Sequence, residues 1–316
     1  MRLKDSLGFK LALALFTLYV IWGSTYYFIR VGVGAWPPLM MAGVRFFLAG
    51  ALLLTVLLLK GDRLPTLRQT VNAGAIGILL LAIGNGLVTV AEHMQMPSGI
   101  AAVVVATVPL FTVAFGSLWG IRATGLEWLG IAIGLAGIIL LNTSGNLTEH
   151  PLGAMLLIVG SISWAFGSIW GSKLQLPQGL MAGAMEMLVA GTVLLCASRI
   201  SGERLVRMPD MAGILAVGYL ILFGSIIAIS AYMFLLKHAR PALATSYAYV
   251  NPVVAVLLGM GFAGERLTGT EWTALGIIIL AVMIVMVGKS ITAGRHSAGN
   301  LEPVVKTRRD SGKPAG

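Results

Sequence analysis

Ten apolar stretches alternate with short polar breaks along the 316-residue chain. A helix needs about 20 mainly apolar residues to cross a bilayer. The stretches fall at 11–33, 38–59, 71–92, 98–119, 126–142, 152–172, 178–199, 212–236, 241–262 and 271–288. The breaks carry turn chemistry: Trp36-Pro37-Pro38, Lys60-Gly61-Asp62, Asn142-Thr143-Ser144-Gly145, Leu176-Pro177-Gln178 and Arg240-Pro241. The pattern predicts an all-α integral membrane protein of ten transmembrane helices. Residues 1–10 form a short lead, and the first stretch lacks a cleavage site of small residues, so it reads as a span rather than a signal. Residues 289–316 are polar and basic without apolar period and are expected to be disordered.

One unit of this pattern occurs twice. Gly120-Ile121-Arg122-Ala123-Thr124-Gly125 with Glu127-Trp128 matches Gly264-Glu265-Arg266-Leu267-Thr268-Gly269 with Glu271-Trp272, at a spacing of 144 residues. Pro109 and Pro252 stand 143 residues apart inside spans. Residues 11–145 and 150–288 therefore read as two five-helix repeats. An odd number of spans inverts the second repeat, as in many secondary transporters whose site lies between the halves near the midplane.

Composition agrees with the membrane. Apolar residues make up 57% and charged residues 11%, against about 45–50% and 25% in soluble domains. Glycine contributes 40 residues, as close helix packing in lipid favours. The formal charge of +10 lies in short loops and the tail, which points to a lipid bilayer as partner and not to nucleic acid. Sixteen of the 22 Lys and Arg residues fall on the side of both termini, five on the other, and Arg45 lies within a span. The positive-inside rule then predicts cytoplasmic termini. Arg199, Arg204 and Arg207 break the pattern and mirror the basic stretch Lys60–Arg68 of the first half.

Several chemistries find no support. Cys196 is the single cysteine, and none of His93, His150, His238 and His296 lies mid-span, which speaks against a disulfide, a metal site and serine–histidine hydrolysis. Gly288-Lys289-Ser290 has Met283 where a phosphate-binding loop needs its leading glycine, so ATP is not the energy source. The sequons at Asn142 and Asn146 read as turns. No enzyme, cofactor or metal is expected. Filter rings and an added soluble domain are not apparent either, which disfavours a channel and a sensor.

Helical spacing singles out candidate contacts. Tyr19, Trp22 and Tyr26 share one face, and Ser161, Trp164 and Ser168 share another in the sixth span. Aromatic rings in a cavity suit amphipathic solutes, with cation–π contacts worth about 0.5–2 kcal/mol; the alternative is that they fill helix contacts. Pro109 and Pro252 interrupt their spans near Val105 and Ala248 and are candidate hinges or plain kinks. Thr107, Thr245, Tyr249 and Asn251 surround them, and Asn85, Thr89, Ser225 and Ser230 in neighbouring spans offer further hydrogen bonds to a polar small-molecule substrate. Arg45 and Glu186, 141 residues apart, are the ionisable groups deepest in apolar sequence, each costing about 2.5–3.5 kcal/mol to insert. They pair across the halves, or Arg45 binds a substrate carboxylate and Glu186 carries a coupling proton; a structural ion pair or snorkelling of Arg45 is the alternative. Glu92-His93 and Lys237-His238 fall at span ends and are expected to be solvated. Gly130, Gly134 and Gly137 form a packing stripe expected to act within a monomer, a homodimer being the alternative.

Trp22-Gly23-Ser24, Ser163-Trp164-Ala165, Pro109, Asn251-Pro252 and Gly264-Glu265-Arg266-Leu267-Thr268 together resemble the drug/metabolite transporter superfamily, specifically its ten-helix exporters of two EamA-type repeats and the bacterial YedA-like branch. The resemblance covers residues 11 to 288. It implies helices 1–4 and 6–9 around a central cavity, helices 5 and 10 at the periphery, a bacterial inner-membrane location, and export of amino acids, related metabolites or amphipathic toxins. Ile121 stands where the second copy has Glu265, so any role of that glutamate is not duplicated. The expected function is a secondary active exporter working by alternating access, proton-coupled or exchanging; a facilitative channel or an importer is the alternative.

Overall fold

The computed structural model describes residues 7–120, 123–142, 149–239 and 247–299. Ten helices occur among them and no strand. They are α1 (Leu7–Val33), α2 (Pro38–Leu59), α3 (Leu67–His93), α4 (Ser98–Leu118), α5 (Gly125–Asn142), α6 (Pro151–Gly171), α7 (Leu180–Ile200), α8 (running from Met211 to His238), α9 (Tyr247–Phe262) and α10 (Gly269–Gly299). Among the described residues, α1–α4 and α6–α8 are long and apolar enough to cross a bilayer, while α5, α9 and α10 carry shorter apolar runs. Loops 34–37, 94–97, 201–210 and 263–268 gather at what we term the Trp36 end; loops 60–66 and 172–179 lie at the Lys60 end.

The twice-written motif turns out to be a helix start. Thr124 Oγ1 accepts from the Glu127 N–H at 3.2 Å, and the Glu127 carboxylate accepts from the Thr124 N–H at 2.7 Å. Thr268 and Glu271 repeat this at 3.3 and 2.7 Å. Each is a capping box that satisfies amide donors left over in the first turn. Gly120 and Gly264 precede them with φ of +79° and +67°, a left-handed turn that suits glycine. One turn on, Trp128 and Trp272 are exposed, as tryptophans at a membrane interface are.

Two antiparallel helix pairs join each half to its counterpart. In α2–α7, Gly43 meets Leu195, Gly50 meets Leu188, and Gly191 meets the backbone of Phe47, so numbers fall on one helix as they rise on the other. In α5–α10, Gly130 meets Val285, Gly134 meets Ala281 and Gly137 meets Ile278. The glycine stripe of α5 thus packs inside the bundle. Missing side chains let the backbones approach closely, which substitutes for the hydrophobic drive that lipid cannot give.

Helices α3 and α8 each contain a wide-turned π segment, Ile78–Asn85 and Leu220–Ile227, at matching places in the two halves. Helix α4 breaks between Val105 and Val108, just before Pro109. Helix α9 instead runs unbroken through Pro252, where the sequence suggests an interruption; proline removes only one ladder bond, and the turns on either side persist. Helix α10 also continues to Gly299, beyond the expected end of order at 288. Residues 289–299 hold no proline and several helix formers, so an existing helix can propagate through them. Ile121, Arg122, residues 143–148 with the rest of the two sequons after Asn142, and Thr245 lie outside the described residues.

Candidate functional site

The site begins where the two wide-turned segments face each other. Arg45, seven residues into α2 and 4% exposed, donates from Nε to Ser225 Oγ at 3.1 Å and from Nη1 to Asn85 Oδ1 at 3.3 Å. Asn85 closes the wide turns of α3 and Ser225 lies within those of α8. Such turns displace the backbone from its regular ladder and recur at functional positions. One guanidinium therefore ties α2 to the irregular parts of both halves. Its Nη2 makes no hydrogen bond to a described residue, which leaves donors for a solute; the group also sits 4.7 Å from the Phe46 ring centroid.

Arg45 and Glu186 do not pair. They hold equivalent places in the two repeats, but inversion puts equivalent places on opposite sides of the midplane. The α2–α7 register sets Arg45 level with residues near 193, so Glu186 lies about 10 Å further along the axis at 1.5 Å per residue. Glu186 is half-buried, and its backbone fills the space that a side chain at Gly77 would need.

Helix α3 carries a polar stripe. Asn85, Thr89 and Glu92 recur at i, i+4 and i+7 and so share a face. Thr89 is 1% exposed and returns its hydroxyl to the Asn85 carbonyl at 3.1 Å. Glu92 is fully buried, and neither carboxylate oxygen has a hydrogen-bond partner among the described residues. This corrects the expectation of a solvated residue: the last turn of α3 is covered by α1, α2, α4 and α6, so a span end in sequence is not a surface in space. The stripe that contains Asn85 and Thr89 carried the signal, had it been extended by one more turn. His93 and His238 are exposed as expected.

The aromatic faces divide. Trp22 packs against Tyr232 at 5.4 Å and Tyr247 at 4.8 Å, and these two tyrosines meet at 5.7 Å, joining α1, α8 and α9. Neither tyrosine is foreseeable from spacing within α1. Tyr26 packs instead on a cluster to which α3, α4, α5, α6, α9 and α10 all contribute. Trp164 is partly buried against Gly84 of α3. Ser161 is buried, while Ser168 is exposed, and both return their hydroxyls to their own helix at 2.8 Å. Asn251 is 9% exposed with Oδ1 unpartnered among the described residues, and its carbonyl lies beside Gly23 of α1. The Tyr249 side chain lies outside the described residues.

Carboxylates close the Trp36 end. Glu203 accepts from the Leu39 and Met40 N–H groups at 3.1 and 2.8 Å, capping α2 from the other half. Glu265 accepts from Ser98 N and Oγ, each at 2.7 Å, and from Gly99 N at 3.0 Å, capping α4. Arg30 of α1 donates to the Glu92 carbonyl at 3.0 Å and to Gln95 Oε1 at 3.1 Å. Beside these caps opens a cleft of about 960 Å³ lined by Trp36, His93, Glu203, Arg204 and Arg207, among others.

The chain is similar over nearly all its length to known membrane transporters. It is 66% identical to YedA of Escherichia coli (strain K12), described as an uncharacterized inner membrane transporter, covering 87% of this chain and 90% of that protein. It is 26% identical to a probable amino-acid metabolite efflux pump of the same strain, over 85% and 92% of the two chains. A solved structure described only as a crystal structure of a protein superposes with a TM-score of 0.63 at 22% identity, over 87% and 96% of the chains, which establishes the shared fold. With residues 9–143 and 151–287 each matching the family model, the chain belongs to the EamA-like transporter family, multi-pass proteins of the membrane.

Proposed function

We propose that this protein is a secondary active transporter that exports small amphipathic metabolites, amino acids and their derivatives foremost, by alternating access to a site between its halves. The observation that carries this reading is Arg45 joining the wide-turned segments of α3 and α8. A buried guanidinium with spare donors suits a carboxylate, which it can hold in bidentate fashion. Trp22, Tyr26 and Trp164 supply apolar and cation-attracting faces, and Asn85, Thr89, Ser168, Tyr249 and Asn251 supply polar contacts. The relative described as an amino-acid metabolite efflux pump points to the same class.

Both termini are cytoplasmic in this reading, so the Trp36 end faces outward and the conformation is closed there. Opening it requires Glu203 and Glu265 to leave their helix N-termini. Each hydrogen bond to such a carboxylate is worth about 1.5–3 kcal/mol, an amount that water and solute binding together offset when the end opens. Pro109 and Pro252 serve as hinges. Glu186 and Glu92 are the candidate proton carriers. Arg204 and Arg207 in the outer cleft suit an anionic group leaving the protein. The reading includes no enzymatic step.

Expression in exporter-deficient bacteria tests it. Efflux of one class from a panel of amino acids, analogues and cationic dyes, lost in Trp22→Ala, is the expected result. Flux that survives collapse of the proton gradient and never exceeds equilibrium would favour a facilitator.

A further inference from the structure

We infer that Glu92 is a buried proton-binding site, neutral in the closed conformation and exchanging its proton when the Trp36 end opens. The coupling role that follows rests on the transporter reading; the site itself does not.

Glu92 has no exposure, and among the described residues neither carboxylate oxygen has a donor. An ionised carboxylate left so is strongly penalised, because neither water nor a hydrogen bond replaces its hydration. The groups within electrostatic reach are Arg30 and Tyr26 on α1, Arg45 on α2 and Glu265 in the 263–268 loop. Helices α4 and α6, also packed on this turn, hold no ionisable residue within Ser98–Leu118 and Pro151–Gly171. His93, next in sequence, is exposed and contacts the Val33 carbonyl.

Neither arginine donates a hydrogen bond to the Glu92 carboxylate. Arg30 holds carbonyl and amide oxygens, including the backbone oxygen of Glu92 itself, and Arg45 holds Ser225 and Asn85. Glu265, by contrast, receives three donors. Of two neighbouring carboxyl groups, one has the donor set of an anion and the other has none, and such divergent environments separate proton donors from fixed charges. Glu265 is also the clamp on the start of α4, beside the turn that covers Glu92. When it releases Ser98 and Gly99, water reaches Glu92; the carboxyl O–H bond breaks, the proton passes to water, and the carboxylate remains hydrated. Closure reverses the step.

Infrared spectra of the full protein in lipid test this without any substrate. At neutral pH the wild type is expected to show the C=O stretch of a protonated carboxylic acid that Glu92→Gln removes and Glu186→Gln keeps. If Glu92→Gln does not fold, Glu92→Asp shifts the band instead. Glu265→Ala is expected to speed deuterium exchange of the band about tenfold or more, because charge-assisted hydrogen bonds no longer close the end. A difference spectrum showing only an ionised carboxylate, or exchange indifferent to Glu265, overturns the inference. In proteoliposomes with labelled phenylalanine as probe, Glu92→Gln is expected to keep exchange and lose accumulation driven by a pH gradient. Unchanged accumulation overturns the coupling role alone. No phenylalanine movement in the wild type counts against the transporter reading and the coupling role together, while the protonated-acid band still decides the site.

Discussion

Arg45 Nε reaches Ser225 Oγ at 3.1 Å across 180 positions of sequence, and the same guanidinium reaches Asn85 on the opposite side. The contact is a joint between the halves at the one level where both α3 and α8 leave regular helical geometry. A solute carboxylate that competes for this guanidinium would loosen both segments at once, which links binding to the rearrangement of the halves.

The capping boxes predict a stability signature. Thr124→Ala and Thr268→Ala should each cost about 1 kcal/mol, the usual loss on removing an N-cap. Because α5 and α10 begin at opposite ends of the bundle, the double variant should show the sum within a few tenths. Thermal unfolding in detergent reads this, and a double variant no worse than one single would remove the symmetric role assigned to the motif.

The α2–α7 seam predicts intolerance to side chains. A Cβ at Gly50 would stand 2.6 Å from the Leu188 nitrogen, and one at Gly191 would meet the Phe47 backbone. Gly50→Ala and Gly191→Ala should each destabilise by about 1–3 kcal/mol, the range for overpacking, whereas Gly218→Ala, with open space around it, should be neutral. Equal stability of all three would mean the seam is not close-packed.

The caps at the Trp36 end predict local exposure. Glu265→Ala should lose amide-exchange protection at Ser98 and Gly99, and Glu203→Ala at Leu39 and Met40, each by about tenfold or more, since hydrogen bonds to charged groups are worth about 1.5–3 kcal/mol. Protection unchanged in both variants would show that the helix starts are held by something else.

The ten spans and the repeat were legible in the sequence because membrane helices announce themselves by length and apolarity, and because Gly120–Trp128 is written again at Gly264–Trp272. What that motif does emerged only with the Thr–Glu geometry. Arg45 and its partners Asn85 and Ser225 could be named individually, but their meeting depends on interhelical register, which spacing within one helix does not encode. The suggested Arg45–Glu186 pair failed for a reason the repeat itself contains, since inversion separates equivalent positions across the midplane. Glu92 was misplaced because polarity at a span end resembles a loop, and only the packing of four helices around it shows otherwise.

The aromatic cluster predicts a solute effect. Trp22→Ala opens space between Tyr232 and Tyr247 and should weaken transport of aromatic or cationic solutes by about tenfold, in line with cation–π and packing contributions of about 1–2 kcal/mol, with smaller effect on small aliphatic ones. A uniform loss across all solutes would assign Trp22 to packing.

The most direct measurement is concentration-dependent efflux of labelled amino acids from cells or proteoliposomes bearing wild type, Arg45→Lys and Arg45→Gln. The account predicts that Arg45→Gln raises the half-saturating concentration or abolishes flux, by about tenfold or more for loss of a charged hydrogen bond to a carboxylate, and that Arg45→Lys recovers part of it. Wild-type flux and affinity in Arg45→Gln would contradict the claim that the solute site is built around this arginine between the two halves.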